Sequence, residues 1–282
     1  MPILTKRNVV VTGCSSGIGL CLTKGLANKG YRVIATCRSQ KDIDKLATQN
    51  IEAILLELSS QESVDQAITE IKRRCDNQIY GLINNAAYGQ PGAVIDLQRT
   101  VLQQQFETNV FGTQQLTNGL LPLMLAAGQG RIIQISSILG FICLRFRGAY
   151  NASKYALEAL TDTMRLEHRD SGVFFSLIEP GPIESRFRQN AYEKYKQHID
   201  RENSLFRSAY IKVENRLQQM ENARFTLTAN AVLKVATHAL EARSPKIRYP
   251  VTIPTRVMAI LKRFLPDRLM DQFLAYNSDR AR

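Results

Sequence analysis

Three side chains between residues 134 and 157 have the types and spacing needed to move a proton to or from an oxygen atom. Ser137 follows an apolar run, and Tyr150 and Lys154 are four positions apart in a stretch of helical character. Residues four apart share one face of a helix, with about 5–6 Å between Cβ atoms. A phenol titrates near pH ~10, and a neighbouring ammonium group lowers that pKa. This set suits proton transfer to an oxygen while a hydride moves to or from its carbon.

A Y-x-x-x-K spacing alone is a weak signal, because surface helices often contain it, so its meaning depends on the scaffold around it. Short apolar runs typical of strands alternate with helical patterns along the chain. This alternation predicts an α/β fold, a Rossmann-like, doubly wound parallel sheet of about seven strands in three layers. The predicted strands are residues 9–11, 31–36, 53–58, 79–83, 131–135, 173–178 and 246–251, and the predicted helices include 20–29, 61–75, 99–127 and 229–242, with the Tyr150 helix ending near 170.

A glycine-rich turn follows the first predicted strand. Residues 12–19 read T-G-C-S-S-G-I-G and lead into a helical pattern. Backbone N–H groups at a helix N-terminus attract phosphate, and glycines let a pyrophosphate approach closely. The G-x-x-x-G-x-G spacing differs from the generic dinucleotide fingerprint, yet its place at the first βα turn favours a cofactor-phosphate site. We assign to it Gly13, Ser15, Ser16, Gly17, Ile18 and Gly19.

The ends of the next strands add candidate cofactor contacts. The second strand ends near Arg38, with no carboxylate before Asp42, and an arginine at this position accommodates a 2′-phosphate. We therefore predict NADP(H); the alternative is that Arg38 is a solvated loop residue. Glu57 and Leu58 fall where an adenine would rest.

Two asparagines further along the chain are also candidate site residues. Asn85 and Ala86 follow the fourth strand and are positioned for a nicotinamide ribose. Asn109 lies within a predicted helix, where asparagine is a poor helix former, so an inward side chain needs a partner such as a water chain.

Two segments beyond residue 185 depart from the alternating pattern. We predict one domain over residues 1–282, with a charged, aromatic-dotted insertion at 186–226 that covers the substrate as a lid or is a solvated helical excursion. The C-terminal extension, 245–282, is basic and amphipathic. Such a stretch lies on a membrane surface, on its own protein or on a partner subunit.

Composition and motif content argue against several classes of protein. A net charge of +12 suits a phosphate-bearing cofactor, an acidic membrane surface or nucleic acid, and no nucleic-acid module is recognisable. Five cysteines without a C-x-x-C pair indicate reduced thiols, and three scattered histidines predict no metal site. No signal peptide or membrane-spanning run is apparent, so we expect a cytoplasmic protein.

As a set, T-G-C-S-S-G-I-G, N-N-A-A, Asn109, I-S-S, Y-N-A-S-K and P-G-P resemble the short-chain dehydrogenase/reductase family, over roughly residues 6–185. The spacing is similar to the compact branch, and the C-terminal part resembles retinol and hydroxysteroid dehydrogenases and bacterial NADP-dependent aldehyde reductases. The resemblance implies hydride transfer between a nicotinamide and a carbonyl or alcohol. The sequence departs from the family pattern in three places. Ser15 and Ser16 stand where NADP-preferring members often carry a second basic residue, Glu57 replaces the usual aspartate after the third strand, and Ser185 replaces a threonine.

The resemblance also implies a role for each matching residue. Tyr150 would be the general acid/base, Ser137 would orient the substrate oxygen, Lys154 would lower the Tyr150 pKa and hold the ribose, and Asn109 would anchor a water relay. The cofactor contacts implied near the C-terminal edge of the sheet are Pro180, Gly181, Ile183 and Ser185. The family also implies a homodimer or homotetramer.

The loop between Ser137 and Tyr150 is apolar. It carries Leu139, Phe141 and Leu144, which we assign to the substrate site together with Ser137 and Tyr150. Apolar lining with few polar anchors selects by burial, so we expect a lipophilic aldehyde or ketone, or its alcohol, of retinoid, steroid or medium-chain type. Arg145 and Arg147 interrupt the wall and would alternatively meet an anionic head group. Two other readings stay open, a non-catalytic NADP-binding regulator and an NAD-dependent alcohol dehydrogenase.

Overall fold

A single parallel sheet organises the molecule. The computed structural model describes residues 7–218 and 224–280, with backbone alone from 277 onwards. Its seven strands are all parallel, in the order β3-β2-β1-β4-β5-β6-β7. The strands are β1 Asn8–Val11, β2 Arg32–Cys37, β3 Ala53–Leu55, β4 Gly81–Asn84, β5 Gly130–Ile135, β6 Val173–Glu179 and β7 Arg248–Pro250. The predicted Rossmann-like α/β fold is confirmed.

Helices cover both faces of the sheet and extend beyond its edge. They are α1 Gly17–Asn28, α2 Gln40–Ala47, α3 Gln61–Arg74, α4 Arg99–Phe106, α5 Thr113–Ala126, α6 Gly148–Glu167, α7 Phe187–His198, α8 Arg207–Gln218, α9 Asn230–Glu241, α10 Ile253–Phe264 and α11 Asp267–Arg280. One apolar core lies between the sheet and α1, α2 and α9. A second lies between the opposite face and α3, α5 and α6. The wholly apolar strands are explained by this burial on both sides.

The helix predicted over residues 99–127 runs from Arg99 to Ala126, but its middle is π-helical and not α-helical. A π-helical segment, Glu107–Gly112, separates α4 from α5. The Thr113 hydroxyl donates to the Thr108 carbonyl, five residues back, at 3.2 Å. Gly112 lies so close to β3–α3 that an added Cβ would be 1.9 Å from the Leu58 carbonyl oxygen. The wider turn directs Asn109 inwards, where it is buried, and such segments often mark functional sites.

One strand boundary and one further helix also differ from the sequence-based prediction. β3 ends at Leu55 and not at residue 58, because the chain already turns towards α3, with the Glu57 N–H donating to the Ser63 hydroxyl at 2.9 Å. The sequence pattern also did not predict α2, whose N-cap is the Ser39 side chain.

The segments after β6 are helical. The insertion predicted at 186–226 contains α7 and α8, and its residues 219–223 lie outside the described chain. The C-terminal extension contains α10 and α11. Within the described residues, no helix is long and apolar enough to cross a bilayer.

Candidate active site

Ser137 lies directly after β5, at the carboxyl edge of the sheet where ligands bind in folds of this type. Backbone hydrogen bonds join this segment to the end of β6, from Ser136 N to Ile178 O (2.8 Å) and from Ile138 N to Pro180 O (2.9 Å). The Ser137 hydroxyl accepts the N–H of Leu139 at 3.1 Å. A hydroxyl also has a proton to donate and a second lone pair, so this one is fixed in place and still able to bind a ligand.

Tyr150 and Lys154 lie on the first turns of α6 and face the end of β5. Both side chains are buried, 7% and 3% exposed. The Lys154 ammonium group donates to the Ile135 carbonyl at 2.8 Å and lies 5.8 Å from the centroid of the Tyr150 ring. The Tyr150 hydroxyl faces the Ser137 hydroxyl. The structure thus brings Ser137, Tyr150 and Lys154 together.

Burial controls the acidity of Tyr150. It raises the pKa of Tyr150 to about 12, while the hydrogen bond with Ser137 and the charge of Arg147 lower it in part. The expectation that Lys154 lowers this pKa below its usual value is therefore wrong, because desolvation outweighs the favourable contacts and the cation that acts on the phenol is Arg147. A phenol with this pKa is protonated at neutral pH, which suits the donation of a proton.

Lys154 is also shifted by burial. Desolvation lowers the pKa of Lys154 to about 8, and Glu158, one turn later on α6, opposes the shift. The ammonium form is still the major one at neutral pH. It supplies a positive charge and two further N–H donors beside Tyr150.

Asn109 cross-links three parts of the site. Its amide nitrogen donates to the Tyr88 carbonyl (2.9 Å) and to the Ser153 hydroxyl (3.0 Å), and its oxygen accepts the Tyr88 N–H at 3.2 Å. Ser153 in turn donates to the Tyr150 carbonyl at 2.9 Å. Among the described residues, Asn109 thus reaches Tyr150 through Ser153 and makes no direct hydrogen bond to Lys154.

The glycine-rich turn is held tightly against the end of β4. The Thr12 hydroxyl accepts the N–H groups of Asn85 and Ala86, both at 2.9 Å, and the Asn85 amide donates to the Thr12 carbonyl at 2.8 Å. Gly13 has a φ of +71°. A Cβ on Gly19 would lie 2.1 Å from the Gly13 carbonyl oxygen. Only glycine fits at these two positions.

The start of α1 fits the pyrophosphate of a dinucleotide. Ser16 is the N-cap, yet its side chain makes no capping hydrogen bond, and the first turn has no acidic residue. The N–H groups of that turn have no partner within the helix, and the helix dipole attracts an anion there. Ser15 is exposed, and Ile18 packs on the core.

Three further candidate cofactor contacts follow β2 and β3: Arg38, Glu57 and Leu58. Arg38 is exposed and makes no hydrogen bond or ion pair within the described part of the chain. The Glu57 carboxylate accepts the N–H and hydroxyl of Ser59, at 3.2 and 2.9 Å. Leu58 is buried in the core, so the backbone of this segment, not the leucine side chain, is available to a ligand.

The Pro180–Ser185 turn after β6 lies across the glycine-rich turn. A Cβ on Gly17 would lie 3.1 Å from the Ser185 Cβ, and one on Gly181 would lie 2.2 Å from the Thr252 hydroxyl. Ile183 packs on the same core as Ile18. Ser185 therefore lies against the glycine-rich turn, whereas Ile183 packs into the core and Gly181 lies against Thr252.

An apolar cluster covers the other side of Tyr150. Leu139, Phe141 and Leu144 gather there with Tyr150 and Met270 in one apolar cluster. The Phe187 ring of α7 packs against the Tyr150 ring, with 5.2 Å between the two centroids and 60° between the two ring planes. Apolar residues of α10, of α11 and of the link between them complete the cluster: Met258, Leu261, Leu265, Met270 and Leu274.

The sequence interpretation missed several residues of this site. Thr12 and Ser153 are short polar side chains without a spacing signal of their own. Phe187 lay in a segment read only as amphipathic, and Arg147 was assigned to the pocket wall and not to Tyr150. No signal in the sequence showed that α10 and α11 fold over the substrate loop. Within the described residues, no group of three metal-ligating side chains gathers.

Comparison with known proteins agrees with this geometry. The family model for the short chain dehydrogenases matches residues 7–196. The chain is 42% identical to the uncharacterized oxidoreductase YbbO of Escherichia coli K12, over 95% of this chain and 94% of that protein. It is 31% identical to rat 17-beta-hydroxysteroid dehydrogenase type 6, over 96% and 89%. A solved structure, a variant of actinorhodin polyketide ketoreductase with NADPH, has the same fold, with a TM-score of 0.72 at 21% identity, over 87% of this chain and 95% of that one. The chain belongs to the short-chain dehydrogenase/reductase family and is an oxidoreductase that uses a nicotinamide cofactor.

Proposed function

We propose that the protein is an NADP(H)-dependent reductase of lipophilic aldehydes and ketones, which also runs in reverse on the alcohols. The observation that carries the proposal is a buried Tyr150 that lies with Ser137 and Lys154 beside an apolar cluster. A neutral phenol donates a proton to a carbonyl oxygen, and the apolar wall favours a substrate with apolar surface.

In this proposal each residue has one task. Ser137 donates a hydrogen bond to the carbonyl oxygen, and Tyr150 transfers its proton to that oxygen. A bound nicotinamide cofactor would supply a hydride, which is a proton with two electrons, to the carbonyl carbon; together with the Tyr150 proton this converts the carbonyl to an alcohol. Arg147, the cation that acts on the phenol, stabilises the phenolate that Tyr150 leaves behind, and Lys154 holds the nicotinamide ribose.

Asn109 holds the catalytic helix in register through Ser153. In the proposal it also anchors the water chain that returns a proton to the site. Its carbonyl oxygen has a second lone pair for such a water.

Arg38 supports the choice of NADP(H). Its guanidinium group is exposed at the end of β2, where an arginine meets a 2′-phosphate. The similar polyketide ketoreductase is described with NADPH. Glu57 and the backbone at Leu58 would border the adenine, and the Pro180–Ser185 turn would border the nicotinamide half.

A panel of carbonyl compounds tests the substrate class. The purified protein with NADPH would be assayed on aliphatic, aromatic, isoprenoid and steroid carbonyls, with open-chain sugars as polar controls. We expect kcat/KM to rise with apolar surface, because burial contributes about 25 cal/mol per Å². Good turnover of the sugars and none of the apolar compounds would contradict the proposal. The hydroxysteroid dehydrogenase relative supports including steroids.

We propose that the outer face of α10 and α11 contacts an anionic membrane surface. Ile260 and Phe264 are 60% and 77% exposed on this face. The basic residues around it are Arg256, Lys262, Arg263 and Arg268. Charge complementarity selects acidic lipid as the occupant. Cosedimentation with phosphatidylserine vesicles, absent with phosphatidylcholine alone and lost in Phe264→Ser, is the expected result; a dimer that buries this face and no vesicle binding would overturn it.

Oligomeric state and location complete the proposal. We propose a homodimer or homotetramer in which α6 contributes to the interface, supported by the exposed apolar side chains of Phe111, Tyr155 and Leu166. We also propose a cytoplasmic location, since all five cysteines are free thiols. We further propose that α7 and α8 form a lid over the substrate. Light scattering of the pure protein tests the oligomer, and a monomer at all concentrations would contradict it.

A further inference from the structure

The ring of Phe187, the first residue of α7, lies directly against the ring of Tyr150. The two ring centroids are 5.2 Å apart, with 60° between the ring planes. A hydrocarbon chain between two rings needs about 7–8 Å, twice the usual carbon–carbon contact distance. No part of a substrate therefore fits between Phe187 and Tyr150 in this arrangement.

The backbone at Gly89, which follows β4, borders the same ring. A Cβ added to Gly89 would lie 2.7 Å from Cζ of Phe187 and 3.4 Å from Cδ2 of Tyr150. The next residue, Gln90, donates its backbone N–H to the Gln105 side chain at 2.8 Å, which holds this segment in place. Phe187 thus packs on a fixed backbone as well as on the phenol ring.

Helix α7 keeps the Phe187 ring in this position. Phe187, Ala191 and Tyr195 are four residues apart and so share one face of the helix. Ala191 and Tyr195 are each 1% exposed. The Tyr195 ring packs on Tyr210 of α8, with 5.6 Å between centroids, in an apolar cluster of its own. Moving the Phe187 ring away from Tyr150 by a shift of α7 would therefore open this second cluster.

The other apolar side chains near Tyr150 are of a different kind. Met258, Met270 and leucines of the last two helices belong to the same cluster as Tyr150. Methionine is unbranched and adapts its shape to irregular gaps. The phenol thus lies beside one fixed aromatic wall and one wall of adaptable side chains.

The reaction brings both groups on the carbonyl carbon close to these walls. The carbonyl oxygen has to come within hydrogen-bond reach of the Tyr150 hydroxyl, about 2.6–3.2 Å. One group on the carbon then extends among the adaptable side chains, and the other meets Phe187. Extra methylene groups forced against a packed ring cost free energy, because neither side yields.

We propose that Phe187 is a specificity-determining residue, which restricts one of the two groups on the carbonyl carbon to a hydrogen atom or a methyl group. The favoured substrates are then long-chain aldehydes and methyl ketones, and ketones with two bulky groups are excluded. The proposal rests on the proposed reductase function and names its substrate class more closely. It concerns the width of the site at the reacting carbon.

Three carbonyl compounds of nine carbons measure this width. Nonanal, 2-nonanone and 5-nonanone carry a hydrogen, a methyl group and a butyl group beside the longer chain. The two ketones have the same formula and similar reactivity, so the ratio of their kcat/KM values reports shape and not apolar area. For the wild-type protein with NADPH, we expect 2-nonanone to exceed 5-nonanone at least about tenfold.

Phe187→Ala should widen the site. The ratio of kcat/KM for 2-nonanone to that for 5-nonanone should fall about tenfold, mainly through faster turnover of 5-nonanone. Phe187→Leu retains an apolar side chain of intermediate size, so its ratio should lie between those of the wild type and Phe187→Ala, and it carries the test if the alanine variant does not fold. An unchanged ratio in the folded variants, or a wild-type protein that reduces both ketones equally, would overturn the proposal.

Phe141→Ala is the matched control. It removes a phenylalanine ring from the same cluster, and that ring also borders Glu179 and Ala259 behind the substrate loop. It should change kcat/KM for both ketones by the same factor. A fall in the ratio equal to that in Phe187→Ala would show a general loosening of the cluster and overturn the specific role of Phe187.

A binding measurement separates this proposal from the reductase function. The complex with NADP⁺ has no hydride to give to a ketone, so calorimetric titration with 2-nonanone and 5-nonanone measures fit without turnover. Tighter binding of 2-nonanone that is lost in Phe187→Ala supports the width limit even if no carbonyl is reduced. Equal binding of both ketones to the wild-type protein, with nonanal reduced normally, would overturn the limit and leave the reductase function standing. Failure to bind either ketone and to reduce nonanal would overturn both.

Discussion

The two sides of the catalytic edge are held by different interactions. The cofactor side consists of β1, the glycine-rich turn and the end of β4. Hydrogen bonds between side chains and backbone, from Thr12 and Asn85, join these segments, and close contacts exclude any Cβ at Gly19. The substrate side consists of side chains from the Ser137–Tyr150 loop, α7, α10 and α11, packed in a small cluster. The first side tolerates almost no change in shape, whereas the second can be altered side chain by side chain. Cofactor binding and substrate choice should therefore respond to separate substitutions.

The largest effect is expected on the cofactor side. In Gly19→Ala the new methyl group would lie 2.1 Å from the Gly13 carbonyl oxygen and 2.7 Å from the Asn85 amide. We expect NADPH binding, measured by fluorescence titration, to be lost. Gly128→Ala is the control, because it introduces strain at a φ of +61° but meets no atom within 4 Å. It should cost about 1–2 kcal/mol of stability and leave NADPH binding intact. Similar NADPH affinity for both variants would contradict the claim that the cofactor side tolerates almost no change in shape.

The second prediction concerns the substrate side. Met270 is buried against Tyr150 and the substrate loop, and Met270→Ala should reduce the free energy of unfolding by about 2–5 kcal/mol. The KM for apolar carbonyls should rise while the Kd for NADPH stays unchanged. Urea unfolding and NADPH titration check the two halves. A loss of NADPH affinity equal to the loss of substrate affinity would show that the two sides are coupled.

The third prediction tests a single charge on the cofactor side. Arg38→Gln removes an exposed guanidinium group that we propose meets the 2′-phosphate. A charge-assisted hydrogen bond of this kind corresponds to about a tenfold change, so the preference for NADPH over NADH should fall about tenfold. Lys41→Gln, an exposed residue of α2 nearby in sequence, is the control and should not change the preference. An unchanged preference in Arg38→Gln would place cofactor selection elsewhere.

The smallest effect concerns Glu179, whose titration should make the stability of the protein depend on pH. Burial and the neighbouring Glu158 raise the pKa of Glu179 to about 8, although Arg248 lies 3.2 Å away. The other charged groups that face Glu179 are Asp162 on α6 and Lys262 and Arg263 on α10. Because the fold favours the protonated carboxyl, its contribution to stability is full at acidic pH and is lost as the pH rises towards and through about 8.

Glu179→Gln removes this titration without changing the shape of the side chain. Thermal unfolding between pH 5 and 8.5 should show a steeper loss of stability in the wild-type protein than in the variant. Parallel curves would mean that Glu179 is ionised throughout, paired with Arg248.

Sequence reasoning predicted those parts of the site that depend on local pattern. The glycine-rich turn, the Tyr150–Lys154 spacing and the alternation of strands and helices follow from short-range rules, and the structure contains all three. The π-helical segment around Asn109 could not be predicted, because it depends on the close approach of Gly112 to the Leu58 carbonyl, far away in the chain.

The substrate side was harder to predict for the same reason. The contact of α10 and α11 with the loop joins residues that lie far apart in the sequence. The pKa of Tyr150 was predicted in the wrong direction, since a four-residue spacing reveals a nearby cation but not how much water the fold removes.

The most direct test of the account is the Tyr150→Phe variant, assayed with NADPH and the best apolar carbonyl, with NADPH affinity measured in parallel. Phenylalanine keeps the packing against Phe187 and removes only the hydroxyl that donates the proton. The account predicts that turnover falls by about 10²–10⁴-fold while the Kd for NADPH stays within about twofold. Turnover that survives the substitution, or a wild-type protein that binds NADPH and reduces no carbonyl, would contradict it, and the second result would favour a cofactor-binding regulator.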